Sequence, residues 1–516
     1  MTPAETLAPE ETPEFALIEQ LVRQAAAEAP GRIALIDGER RLAYRQFDAL
    51  IDRVAAALQR EGFRPRETIA ICAAASLEYV AAFFGALRAG MVVAPLAPSA
   101  TPRSLADMVR DCQARVLFLD ATTEDALGEI VAQAPRVALD GEARGARFAD
   151  WLAPEGAAPT RVAVEPDWVF NTIYSSGTTG APKGIDQSHP MRWGHIRRAR
   201  LFGYGPQAVT LISTPLYSNT TLVSLLPALG MGGAVALMPK FEARAFLALA
   251  QRVRATHTML VPVQYRRLMA LPDFDAFDLT SFVMKFSTSA PFAAELKRDV
   301  LTRWPGGLIE FYGMTEGGGT CMLAAHLFPD KLHTVGLPAE GHDIRLIDEE
   351  GRETLPGEAG EVVGRSGAMM NGYRNQPAKS REAEWFDAAG QRFIRTGDVG
   401  RFDEDGFLTL IDRRKDMIIS GGFNVYPSDL EAVIAEHPEV AEASVVGVPS
   451  PEWGETPVAF VALKDGAAIE AEELRAWVNA RLGKTQRLSA LRVVEALPRS
   501  SIGKVLKREL REMWAG

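Results

Sequence analysis

One segment constrains the fold before any other: from Leu211 to Pro239 the chain carries no charged residue. A stretch of that length either crosses a bilayer or lies buried inside a large globular core. Its interior decides between the two. Ser218, Asn219, Thr220 and Thr221 stand near its start, Pro227 falls inside it, and Gly230, Gly232 and Gly233 precede a short apolar end. This pattern predicts a buried helix, a glycine turn and a buried strand, and no membrane span. Covering such a segment on all sides needs a large fold. With 516 residues, 47% hydrophobic and 24% charged, the chain exceeds one ordinary core, so two or more domains are expected.

The surrounding pattern sets the class. Ile69–Cys72 reads as a strand, Leu77–Leu87 as a helix stopped by Gly90, and Met91–Leu96 as a second strand, which together make a βαβ unit. Further short apolar runs at 115–119, 169–174 and 234–238 alternate with helical or turn sequence, as in a mostly parallel sheet covered by helices. After about Glu340 the segments shorten, Asp-Glu-Gly turns multiply, and patterns such as Phe407-Leu408-Thr409-Leu410 alternate, predicting a β-rich subdomain. Beyond Asp412 the chain restarts as a compact α+β unit: a helix near 427–436, strands at 442–448 and 457–463, and a helix at 471–482. The expected fold is α/β: a large N-terminal domain of several subdomains over residues 1–412, a hinge at 413–416 and a small C-terminal domain over 417–516.

Charge and cysteine content exclude several functions. A net charge of -10 argues against a surface that neutralises a phosphate backbone, so nucleic acid is not an expected partner. One basic run, Arg192, Arg197, Arg198 and Arg200, could meet an anionic ligand, and a solvated helix face explains it equally well. Cys72, Cys112 and Cys321 are odd in number and outside any CxxC spacing, which fits a reducing cytoplasm and neither a disulfide framework nor a zinc site. The acidic, proline-bearing N-terminus has no secretory pattern. Local signatures of serine hydrolases, zincins and Rossmann dehydrogenases are missing.

The sharpest chemical motif is Tyr174-Ser175-Ser176-Gly177-Thr178-Thr179-Gly180-Ala181-Pro182-Lys183-Gly184. Glycines let backbone amides approach oxygen atoms, hydroxyls donate hydrogen bonds, and Lys183 adds positive charge, a set suited to a polyphosphate gripped at a strand-to-helix bend. It is not a Walker A loop, because Pro182 stands where the second glycine would be. The run resembles the phosphate loop of the adenylate-forming superfamily, the acyl-CoA synthetases and AMP-dependent ligases. Further motifs of that family recur in order over roughly residues 68–510.

The resemblance implies a role for each match. Phe311-Tyr312-Gly313-Met314-Thr315-Glu316 is similar to the second signature, with Tyr312 against adenine, Thr315 near the α-phosphate and Glu316 holding Mg²⁺, joined as a metal position by Thr179. Ser289, Ala290 and Pro291 complete the nucleotide set. Asp398 of Thr396-Gly397-Asp398 is expected on the ribose hydroxyls, since an ionised carboxylate only accepts hydrogen bonds. Asp412-Arg413-Arg414-Lys415-Asp416 is similar to the family hinge, with Arg413 reaching the nucleotide and Lys415 changing torsion between half-reactions; Ser420, Gly421 and Gly422 are then placed toward coenzyme A. Pro498–Lys504 resembles the last motif, whose lysine, Lys504, acts with Glu316 and Thr179 in adenylation.

The implied activity is a carboxylic acid:CoA ligase that forms acyl-AMP from ATP and then the thioester, with a C-terminal domain mobile between the two steps. Its requirements are ATP, Mg²⁺, coenzyme A as co-substrate and a small carboxylic acid, and a homodimer is compatible with them. Ending soon after Lys504 with no carrier module favours free CoA; an adenylase loading a separate carrier protein is the rival, and a catalytically dead nucleotide-binding module is disfavoured by Lys504, Glu316, Asp398 and Arg413. The acyl pocket is expected at Tyr217, Ser218, Ser287, Gly313, Gly317 and Gly318. Ser218 stands where the family often has histidine, Thr288 and Ser289 stand where it often has glycines, and Gly317-Gly318-Gly319 is expected to leave room, all pointing to an aromatic or medium-chain acid over acetate.

Overall fold

The computed structural model describes residues 15–127, 134–175, 183–413, 416, 418–420, 423–425, 427–450, 453–482, 487–500 and 504–515. Its βαβ unit follows the sequence closely. Strand Thr68–Cys72 is buried throughout, as expected of a parallel strand covered on both faces, and helix Leu77–Arg88 starts where the Ser76 side chain accepts a hydrogen bond from the Tyr79 amide at 3.1 Å. Gly90, at φ +72°, turns the chain into the parallel strand Val92–Pro95.

These strands belong to an eight-stranded sheet ordered Gly372–Tyr373, Lys183–Ser188, Val169–Ser175, Val92–Pro95, Thr68–Cys72, Ala114–Leu119, Arg136–Ala138, Ala146–Arg147. A nine-stranded sheet holds Val209–Ile212, Ala234–Leu237, His257–Leu260, Met284–Ser287 and Gly307–Tyr312 as parallel neighbours, with antiparallel strands at its edges. One apolar core joins the two sheets: Ile69, Val93 and Phe118 from the first meet Val235, Met259 and Ile309 from the second around helices Tyr44–Arg60, Leu77–Arg88 and Asn219–Gly230. The uncharged segment is the middle of this core. Helix Asn219–Gly230 packs on helices Ile18–Glu28 and His189–Arg197, Gly232 turns at φ +76°, and Ala234–Leu237 is a fully buried strand. Among the described residues no helix is long and apolar enough to cross a membrane.

The β-rich region is an antiparallel sheet of Asp343–Ile347, Gly360–Arg365, Arg392–Phe402, Glu384–Phe386 and Leu408–Arg413. A separate five-stranded sheet follows, with Gly454–Leu463 between Val440–Ser450 and the short pair Ile418–Ser420 and Phe423–Val425, and Ala490–Val493 parallel on it. Helices Pro427–Ala435 and Ala471–Asn479 contribute to its own apolar core through Leu430, Ile434, Leu474 and Val478.

Candidate functional site

The glycine- and hydroxyl-rich loop sits between two antiparallel strands. Val169–Ser175 pairs with Lys183–Ser188, and Ser175 and Lys183 are register partners across the ladder. This corrects the strand-to-helix bend expected from sequence: the segment that follows the loop, Lys183–Ser188, is a strand and not a helix. Ser176, Gly177, Thr178, Thr179 and Gly180 lie outside the described residues, as does the Ser175 side chain.

Around that hairpin the fold gathers motifs far apart in sequence. Tyr312 ends strand Gly307–Tyr312, and its hydroxyl donates to Asp398 Oδ2 at 2.9 Å. Burial and the Asp398 carboxylate push the phenol well above its ordinary pKa, so it remains a donor. Asp398 is in turn the cross-strand partner of Arg413 on Leu408–Arg413, which brings two residues expected at the nucleotide to adjacent positions. On the other side, Tyr373 pairs with Ile185 at the edge of the eight-stranded sheet. Its hydroxyl donates to Glu316 Oε1 at 2.8 Å, while Lys183 Nζ lies 5.2 Å from the centre of its ring. One tyrosine therefore touches both the loop lysine and the glutamate of the second signature. Met314 packs with Ile185, Met370 and Ile394 and holds that signature against the sheet edge.

Beneath these groups runs a buried polar network. Arg192 is completely enclosed; its Nε donates to Asn171 Oδ1 and one terminal nitrogen to Asn219 Oδ1, both at 2.8 Å, and the other meets Gln187 Oε1. Gln187 Nε2 donates to the Thr315 carbonyl at 2.6 Å. The network thus ties both strands of the loop hairpin, the start of helix Asn219–Gly230 and the second signature into one unit. Burial pushes the Arg192 guanidinium down to about 9, still well charged at neutral pH, and its acceptors Asn171, Asn219 and Gln187 are all neutral amides. The solvated-helix reading of the basic run is wrong at Arg192, while Arg197 and Arg200 are exposed.

The acyl-side residues divide. Ser218 is buried at the head of helix Asn219–Gly230 and Tyr217 is half-buried beside it. Ser287 ends its strand fully buried, with no partner for its hydroxyl among the described residues. Ser289 adopts φ +81°, a conformation that suits glycine, and is held there by a 2.7 Å hydrogen bond with the Thr220 hydroxyl; Ala290 and Pro291 continue the same turn. The Thr320 hydroxyl packs toward Gly313, 3.3 Å from where a Cβ there would stand. The room expected at Gly317-Gly318-Gly319 does not exist. A Cβ at Gly317 would lie 1.9 Å from the Ala368 carbonyl oxygen, one at Gly318 2.8 Å from that of Gly364, and one at Gly319 1.7 Å from Ile344 Cδ1. These glycines let the loop close onto the β-rich subdomain, so Gly317 and Gly318 serve packing and do not enlarge a pocket.

On the C-terminal side, Arg499 and Val505 form an isolated bridge, Ser500 N donates to Lys504 O at 2.8 Å, and Lys504 N donates to Ser500 Oγ at 3.1 Å, so Lys504 sits exposed at the end of a tight hairpin. Arg499 pairs with Glu442 at 2.7 Å, and the same carboxylate meets Arg266 on helix Pro262–Met269 of the larger domain. Ser420 pairs with Gly454; Lys415, Gly421 and Gly422 lie outside the described residues.

The profile of the AMP-binding enzyme matches residues 22–374, and that of its C-terminal domain matches residues 429–504. The chain belongs to the AMP-binding enzyme family. It is accordingly an ATP-dependent, AMP-forming ligase of the acyl-CoA synthetase type. Among its relatives, it is 32% identical to the indoleacetate–CoA ligase of Aromatoleum aromaticum over 97% of this chain and 98% of that one. It is 31% identical to the fatty acid–[acyl-carrier-protein] ligase ScoC of Streptomyces coeruleorubidus over 98% of both. The crystal structure of ATP-bound MatB from Rhodopseudomonas palustris superposes with a TM-score of 0.86 at 28% identity, over 97% of this chain and 99% of that one.

In this AMP-binding enzyme three residues of the gathered site escaped sequence reasoning: Tyr373, Gln187 and Asn171. Gln187 and Asn171 lie on strands next to the loop, where an uncharged polar side chain in an otherwise apolar run is a visible but unspecific signal. Tyr373 is distant in sequence from Lys183 and Glu316, and only the sheet edge brings it to them.

Proposed function

We propose that this enzyme activates an aromatic carboxylic acid with ATP and transfers the acyl group to coenzyme A. The observation that carries the reading is the convergence of Tyr312–Asp398 with Lys183–Tyr373–Glu316 where three sheets meet, beside the loop hairpin. A carboxylate beside a phenol hydroxyl suits a nucleoside, and a lysine beside an acidic group suits a metal-bound triphosphate.

In the first step an oxygen of the acid's carboxylate attacks the α-phosphorus, a P–O bond to the leaving diphosphate breaks, and acyl-AMP remains. Lys183 and Arg413 offset the developing charge, the buried Arg192 adds positive potential from behind, and the hairpin delivers Lys504 to the reacting oxygens. Glu316 fits a magnesium ion: Tyr373 orients its carboxylate, a hard oxygen ligand, and Thr179 would join it in holding the ion beside the phosphates. The bound ion would supply charge neutralisation at the phosphates. In the second step rotation about Lys415 withdraws Lys504, a thiolate attacks the acyl carbonyl, and the C–O bond to AMP breaks. The three cysteines are free and buried, which suits a reducing compartment.

The aromatic assignment rests on the indoleacetate relative and on Ser218, a small side chain at the head of the core helix. The carrier-protein relative supports a second reading in which the thiol belongs to a phosphopantetheinyl carrier. Pyrophosphate release across acids of graded size, with and without CoA, tests both. Acid-dependent release together with CoA thioester formation is expected. Release without any thioester on CoA favours the carrier, and no release with any acid refutes the ligase assignment.

A further inference from the structure

Arg198 closes helix His189–Arg197 and leads into the 3-10 turn Ala199–Phe202. That turn is pinned against the strands of the site, because Phe202 packs edge-on to Phe286 and Phe311, the residues directly before Ser287 and Tyr312. The Arg198 guanidinium is half-buried and has no ion-pair partner among the described residues. Burial and Arg197 work against its charge; Glu340 favours it, from the exposed side.

Arg198's contact is with His342, and the two do not match. His342 Nδ1 accepts from the Thr320 amide at 2.9 Å, so in the neutral ring Nε2 carries the proton, and Nε2 lies 2.7 Å from an N–H of Arg198. The other tautomer only moves the conflict to Thr320. Protonation does not resolve it either, since burial and Arg198 hold His342 down at about 4. His195, on the same helix, adds a buried Nε2 with no hydrogen-bond partner among the described residues, and Arg192, Arg198 and His342 all disfavour a charge on it. The Arg198–His342 contact therefore has donors and positive charge in excess and lacks an acceptor. Thr320 is the residue between it and Gly313 of the second signature.

We infer that Arg198, with His342 and His195, recognises a second carboxylate on the acid, remote from the one that is adenylated. An entering carboxylate oxygen would accept from both the guanidinium and Nε2–H, and its charge would offset an arginine that makes no ion pair among the described residues. A neutral hydroxyl would satisfy the hydrogen bonds and leave that charge uncompensated. The inference rests on the ligase reading above and narrows its substrate to an aromatic diacid.

The test measures pyrophosphate release with acids matched in shape: 4-methylphenylacetate against 4-carboxyphenylacetate, and 4-methylcinnamate against 4-carboxycinnamate. The wild-type enzyme is expected to favour the diacid of at least one pair by about tenfold or more in kcat/KM. Arg198→Met is expected to lower diacid turnover by about 10²-fold, the scale of losing a charge-assisted contact, while changing the methyl analogue by no more than a few-fold. Arg198→Lys, which keeps the charge, is expected to retain part of the preference and carries the test should the methionine variant fold poorly. Equal use of both acids by the wild type, or equal losses in Arg198→Met, would overturn this inference alone. Silence with every acid would overturn the ligase reading and this inference with it.

Discussion

Replacing Tyr373 by Phe removes one atom from the site and leaves the rest. The ring stays under Lys183 Nζ, at 5.2 Å, so the loop lysine keeps its contact, while Glu316 Oε1 loses the donor at 2.8 Å. A hydrogen bond to a charged group contributes about 1.5–3 kcal/mol, and at this half-buried position the lower end applies. About 1.4 kcal/mol is a factor of ten, which also matches the cost of deleting a group that orients a metal ligand. The assay is ATP–pyrophosphate exchange titrated with Mg²⁺. The half-saturating Mg²⁺ concentration is expected to rise about tenfold, with the maximal rate at saturating Mg²⁺ within about twofold of wild type. A Tyr373→Phe enzyme with an unchanged Mg²⁺ requirement, or with a rate defect that Mg²⁺ does not rescue, would refute the role of Tyr373 in orienting Glu316.

Three further outcomes are expected. Glu442→Gln leaves Arg266 and Arg499 facing each other across the domain boundary, so acyl-adenylate formation should fall about threefold to tenfold while thioester formation from supplied acyl-adenylate is spared; Arg266→Ala, which keeps the Glu442–Arg499 pair, should do less, and equal damage to both half-reactions would count against the contact as a lid latch. Lys297→Met strands the buried Glu310 carboxylate and the Leu332 and Thr334 carbonyls that its ammonium serves, at 2.7 and 3.1 Å, so denaturant unfolding should show a loss of about 3–5 kcal/mol, and a loss below about 1 kcal/mol would disprove the pairing. Glu19 is buried, with its carboxyl pushed up from 4.5 to about 7 by desolvation. The folded chain therefore keeps this proton where the unfolded chain releases it, and stability falls as pH rises from 4.5 through about 7. Glu19→Gln should gain thermal stability relative to wild type across that window, and a gap independent of pH would contradict it.

Strand–helix alternation, a buried uncharged helix and the split into a large α/β part and a small α+β part were legible from residue patterns alone. Periodicity and turn chemistry report directly on local geometry, as at Ser76, Gly90 and Gly232. The family's signature runs were legible too, since glycines, hydroxyls and charges in one short run have few other uses. Failures came where partners are remote in sequence. Gly317-Gly318-Gly319 suggested space and turned out to be filled by Ala368 and by Gly364 and Ile344 of the β-rich sheet. Arg192 suggested a solvated face and is enclosed by Asn171, Gln187 and Asn219.

What the amino-acid sequence determined by itself was therefore local: which segments form strands and helices, and which short runs carry the family's signatures. What only the tertiary structure decided was proximity. Tyr373 reaches Glu316, Tyr312 reaches Asp398, and Arg198 reaches His342 because sheet edges and loops from separate subdomains are packed together. Hydrogen bonds and buried charges depend on distances of a few ångströms between groups that sequence separation does not encode.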